Sequence, residues 1–221
     1  MAVKLKVLAI GLLLVYRAEA QNSQTPPIEL GNQPHISQIL GSPFANVYNL
    51  GLWHGEATQV LSAERDYVVV MLGKATLADE RQGEQPIRQQ LEKGQVLYLS
   101  GAAHHTLRNL GWRRVHAVIV ELTAARGRRQ IELDPIAGAK LLFNERRALV
   151  YALTIEAHAA LKMDSHRELI LIALGDEDFG GSGIQSGIPA RAGRGVWIGS
   201  GSVNFPKNHS RPAQFVIVEP N

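Results

Sequence analysis

Apolar positions in this chain come in short runs rather than at helical spacing. In the first half the runs are Val68–Leu72, Gln95–Leu99 and Val115–Leu122. In the second they are Leu149–Ile155, Leu169–Leu174, Gly195–Ile198 and Gln214–Val218. Each is short, rich in β-branched or aromatic residues and bounded by glycine or charged turns, which predicts strands. Only Gln130–Arg147 has a mixed pattern in which a helical turn fits. The expected class is all-β.

The two halves echo each other. Asp66–Gly73 matches Glu168–Gly175: an acid, five mostly aliphatic residues, then Leu-Gly. Gly94–Asn109 has a fainter copy in Gly193–Asn208, and Val118-Ile-Val-Glu121 recurs word for word as Val216-Ile-Val-Glu219. Three matches in one order, each displaced by about 100 positions, predict an internal duplication. The expected organisation is a leader over 21–35, one unit over 36–123, a linker over 124–135 and a second unit over 136–221.

The pattern Gly94-x5-Ser100-x-Ala102-x2-His105-x3-Asn109 resembles the second motif of the cupins, usually G-x5-P-x-G-x2-H-x3-N. Ser100 and Ala102 replace the proline and glycine. The resemblance implies two tandem double-stranded β-helix (jelly-roll) barrels. It also implies where a metal would sit, because metal-dependent cupins add H-x-H-x3,4-E from a first motif. Residues i and i+2 of a strand share a face, so such a pair aims two imidazoles inward.

The ligand positions of that first motif fall on Leu61, Ala63 and Tyr67 in the first half, leaving His105 alone. No standard metal site is expected there. His105 then reads either as a hydrogen-bonded core residue or as part of a ligand pocket with Tyr67 and Arg65. Arg65 has two readings: an inward cation suited to a carboxylate or phosphate, or a solvated residue before a strand that starts later. The latter is the default, since charges are rarely buried unpaired.

In the second half, strict alignment gives Lys162, Asp164 and Glu168, with Asn204 in the place of His105. Asp164, His166 and Glu168 alternate and would make a hard-metal set for Fe, Mn, Ni or Zn if the face pointed inward. The same alternation describes an exposed strand face with Ser165 inside. No cofactor is the primary expectation.

Composition narrows the picture further. At 221 residues, with 45% apolar and 19% charged, the chain has enough apolar residues for a core and is not a disordered type. Lys4 and Lys6, the apolar run Val7–Tyr16 and Ala18-Glu19-Ala20 describe a secretory signal peptide over 1–20. A retained anchor is the alternative, but a run this short cannot span a hydrocarbon core of about 30 Å. Its removal lowers the formal charge from +3 to +1, so nothing argues for nucleic acid. With no cysteine, thiolate catalysis and disulfides are excluded. Gly180–Gly183 reads as a flexible loop, since a phosphate cradle should open a helix. The expectation is an exported, periplasmic or extracellular protein that binds a small molecule and pairs as a homodimer if its sheet faces allow. An enzyme using the second-half metal set, or a pure interaction module, are the alternatives.

Overall fold

A computed structural model describes residues 29–123, 138–165, 168–178, 189–190, 192–198, 201–205 and 211–220. The expected signal segment, the whole of the expected linker, His166 and Gly180–Gly183 lie outside them. Among the described residues no helix is long and apolar enough to cross a membrane.

The first half contributes β1 (Ile36–Gly41), β2 (Ala45–Leu52), β3 (Asp66–Met71), β4 (Ala75–Arg81), β5 (Ile87–Leu91), β6 (Val96–Leu99), β7 (His105–Asn109) and β8 (Val115–Leu122). The second contributes β9 (Ala139–Asn144), β10 (Ala148–Ile155), β11 (Leu161–Ser165), β12 (Leu169–Ala173), β13 (Glu177–Asp178), β14 (Pro189–Ala190), β15 (Gly195–Ile198), β16 (Gly201–Phe205) and β17 (Ala213–Pro220). The helical turn expected within Gln130–Arg147 is instead the strand β9 over its described part. β9 lies at a sheet edge, half exposed, and so shows neither alternation nor a continuous apolar run.

Every sheet draws its strands from one half alone. One five-stranded sheet has the order β1-β2-β8-β3-β6 and the other β9-β10-β17-β12-β15. Position for position these orders are the same, so the sequence echo is also an echo of topology. Beside the first sheet lies β5-β4-β7, and beside the second the pairs β11-β16 and β13-β14. The layers are those of a jelly roll, but among the described residues hydrogen bonding does not close them into the barrels expected from the motif.

Three apolar clusters hold these layers. Tyr48, Leu50, Tyr67, Val69 and Ile119 meet Leu77, Leu91 and Leu107 of the smaller sheet inside the first half. Leu153, Met163, Leu171 and Phe215 build the second interior. The third cluster joins the halves: Val68, Val70, Val118 and Val120 pack with Val150, Ile170, Ile172, Val216 and Val218. The central strands are therefore buried on both faces, which is why Val68–Leu72 reads as an unbroken apolar run.

The motif glycines set this seam. Gly94 and Gly193 have φ of 81° and 80°, the left-handed region that glycine enters without steric cost. Each turns its chain into the next strand and gives an N–H to that strand's neighbour in the sheet, Gly94 to Met71 O at 2.8 Å and Gly193 to Ala173 O at 3.0 Å. Each also approaches the opposite half. A Cβ on Gly94 would stand 2.9 Å from Leu174 Cδ1, and one on Gly193 would stand 2.5 Å from Leu72 Cδ1. A polar tie adds to this contact: Arg147 of the second half reaches Glu64 O at 3.1 Å and Asp66 at 3.8 Å.

Candidate functional site

His105 opens β7 with its side chain in the first interior, 2% exposed. Its Nδ1 lies 2.8 Å from the buried Asp79 carboxylate on β4, and its Nε2 3.1 Å from Ser100 O. Carboxylate and carbonyl only accept, so each ring nitrogen faces an acceptor. Arg81 Nε closes the other side of Asp79 at 3.0 Å. Burial alone would raise the Asp79 carboxyl, but the imidazole and guanidinium outweigh it and hold it below the ordinary carboxylate range. Both ring nitrogens are committed.

The neighbouring motif positions fit that picture. Leu61 is buried and bridges His105 across the sheet, its N–H donating to His105 O at 2.8 Å. His104 is partly buried, with Nδ1 3.3 Å from Leu61 O. Asn109, fully buried, is a structural clamp: its Nδ2 donates to Leu52 O and Arg113 O, and its Oδ1 accepts from Gly111 N at 2.8 Å. It thereby fixes the loop that carries Trp112, Arg113 and Arg114.

A second polar set stands on the five-stranded sheet of the first half. Glu121 is buried at the end of β8, opposite Asn46 of β2 and Tyr67 of β3 in the register. Asn46 Nδ2 donates to its Oε2 at 2.9 Å, Tyr48 Oη at 3.1 Å, and Arg65 Nη1 meets its Oε1 at 2.9 Å. β3 begins only at Asp66, so Arg65 precedes the strand as the default reading had it, yet it turns to the carboxylate rather than to solvent alone; its side chain is 40% exposed. Burial, then the Glu121 charge, push the Tyr48 hydroxyl well above its usual value. The same causes, in that order, bring Tyr67 up to about 12. Tyr67 lies fully buried with its hydroxyl on the backbone of Ser62.

Glu121 is the residue that sequence reasoning missed. The signal was present, since Glu ends the repeated Val-Ile-Val-Glu in both halves and Glu219 is buried as well. By the shared register the Asn46 and Tyr67 positions are Leu149 and Leu169 in the second half, while the Tyr48 position keeps a tyrosine, Tyr151.

Of the second-half candidates, Lys162 and Glu168 have side chains among the described residues. Lys162 pairs with Asn204 in the β11–β16 register, as the motif alignment requires, and Asp164 pairs with Ser202. Met163 between them is buried in the second interior and Lys162 is exposed. Glu168 is half-buried, just before β12. The side chains of Asp164 and Asn204, and the whole of His166, lie outside the described residues. Among the described residues no three His, Asp or Glu side chains gather as a metal-holding group.

No protein-family model and no curated protein sequence matches the chain. Solved structures do. AerE from Microcystis aeruginosa superposes with a TM-score of 0.62 at 8% identity, over 86% of this chain and 98% of its own. A cupin 2 conserved barrel domain protein from Leptotrichia buccalis gives 0.50 at 11% identity, over 88% and 98%. An oxalate decarboxylase variant of Bacillus subtilis gives 0.57 at 9%, over 88% and 76%. Likeness at such identities is one of backbone, and what it establishes is that this chain has a cupin fold.

Proposed function

We propose that the chain is an exported protein of two tandem cupin-like units that binds a small polar molecule in the first unit, without the metal that many cupins use. The observation that carries this reading is the state of the motif positions. Leu61 and Tyr67 are buried in the apolar interior, and His105 spends both nitrogens on Asp79 and Ser100. The ligand would be held at the Asn46–Tyr48–Arg65–Glu121 set, a few converging polar groups beside an apolar interior, the usual make-up of a small-molecule site. Arg65 is the member able to swing, being the most exposed of the ion pair.

The test is metal analysis of the purified mature protein, where Fe, Mn, Ni and Zn are each expected well below one equivalent. Stoichiometric metal that disappears in an Asp164→Ala, His166→Ala variant would instead establish the second reading, a metal-dependent enzyme using Asp164, His166 and Glu168. The polar set has its own signature in stability. Glu121→Ala strands the Asn46 and Tyr48 donors and is expected to cost about 1–3 kcal/mol. Arg65→Ala removes a half-exposed partner and is expected to cost less than about 1 kcal/mol. Urea titrations of the two variants give the comparison, and equal costs would show that Glu121 is not the centre of the set.

A further inference from the structure

At the seam between the halves, away from the interior, a cleft of about 290 Å³ opens between His35, Ser37, Asn49, Arg114, His116 and Ala192, with Gly51 and Leu72 in its wall. Among the described residues one guanidinium and two imidazoles line it, and no carboxylate does. Two acids stand beside it: Glu56, whose carboxylate faces His35 Nε2 at 3.5 Å and accepts the Trp53 N–H at 2.7 Å, and Asp176, whose Oδ1 accepts the N–H of the lining residue Ala192 at 3.0 Å.

Arg114 is placed, not loose. Its guanidinium lies over the Trp53 ring, 5.0 Å from the centroid, a cation–π contact that leaves the edge N–H groups to another partner. It also lies across Gly51, where a Cβ would come within 2.6 Å of Nη2. Gly51 makes room for the guanidinium, and the Asn109 clamp fixes the loop that delivers it. From the second half, the Gly193 turn packs against Leu72, Asn49 and Val118, so both halves build the cleft.

The duplication supplies an internal control. By strand register, Arg114 and His116 correspond to Pro212 and Gln214, and Asn49 and Gly51 to Ala152 and Thr154. His35 corresponds to Gly138, and both have positive φ, 68° and 78°. The fold therefore demands a left-handed residue there but not a histidine, and it demands neither the arginine nor His116. His158, at φ 62°, stands likewise where the first half has Gly55, so the backbone angle alone marks nothing; the gathering of three basic side chains around one cleft does.

We propose that this cleft binds a small oxyanion, a carboxylate or phosphate monoester, with Arg114 as the anchor and His35 and His116 as flanking donors. Arginine suits such groups because its planar fork donates two parallel hydrogen bonds. The site is separate from the Glu121 set, and the two stand or fall independently.

The experiment is calorimetric titration of the full mature chain at low salt with inorganic phosphate and with succinate, glycerol serving as the uncharged control. Saturable binding of at least one anion and none of glycerol is expected. Arg114→Gln should weaken it at least about tenfold, and Gly51→Ala should weaken it by displacing the guanidinium. His35→Gly should weaken it while raising the melting temperature by about 2–4 °C, since glycine relieves the left-handed backbone. That opposition of binding and stability separates a ligand contact from a structural role. Arg88→Gln, which removes an exposed arginine of β5, should bind as the wild type does. Absence of saturable binding for both anions, or wild-type binding by a folded Arg114→Gln variant, overturns the proposal.

Discussion

Asp79→Ala is expected to cost about 3–5 kcal/mol at neutral pH, because it removes one partner of the buried Asp79–His105 pair and the acceptor at Nδ1. The His105 and Asp79 side chains are 2% and 4% exposed, so water cannot take the carboxylate's place. Asp79→Asn should cost less, since the amide oxygen still accepts from Nδ1 and only the charge is lost. A double variant, Asp79→Asn with His105→Gln, should cost less than the sum of the single changes, as groups in one hydrogen-bonded pair do.

The same pair fixes a pH dependence. The folded Asp79 carboxyl sits below its ordinary value, so the unfolded chain takes up its proton first as pH falls. The contribution is complete above the unfolded value of about 4 and is lost as pH drops through the lower folded value. Urea unfolding from pH 7 downward should therefore show wild type losing stability below about pH 4 more steeply than Asp79→Asn. Parallel acid limbs would mean that the pair carries no charge.

Much of this architecture was legible from sequence. Gly94–Asn109 reads as strand, turn and strand, and folds as β6 and β7. The echo between halves reappears as one strand order used twice. The reading stopped where burial removes the signal. β3, β8, β12 and β17 are covered on both faces, so side-chain parity, the usual guide to inward residues, says nothing about where Glu121 points. Asp79 was invisible for another reason. It lies in Ala78-Asp-Glu-Arg81, a stretch that looks like a solvated turn, and its partner His105 is 26 residues further along the chain. The cleft was hidden likewise: His35, Gly51 and Arg114 meet only because β1, β2 and β8 are neighbours in one sheet. Short-range pattern finds elements, but pairs closed by topology must be seen.

Gly193→Ala is expected to cost about 2–3 kcal/mol, against about 1 kcal/mol for Gly83→Ala. Both glycines hold the same backbone angle, φ 80° and 82°, but a Cβ on Gly83 meets nothing within 4 Å. The left-handed strain is thus common to the two variants, and their difference isolates the contact across the seam. At Gly193 the new methyl would overlap Leu72 Cδ1 at 2.5 Å, so either that side chain leaves its rotamer or the turn withdraws from the first half. Gly94→Ala, at 2.9 Å from Leu174, should fall between the two. Truncating the partner decides the cause. In a Leu72→Ala background the Gly193→Ala cost should drop toward that of Gly83→Ala, a coupling that urea titrations of the four-member cycle resolve. Equal costs at Gly193 and Gly83 in the wild-type background would show that the motif glycine serves its turn alone and that the halves do not meet there. If the coupling appears, the glycine that opens each motif has two roles. It bends the chain into the next strand, and by having no side chain it lets the opposite half close onto the apolar seam.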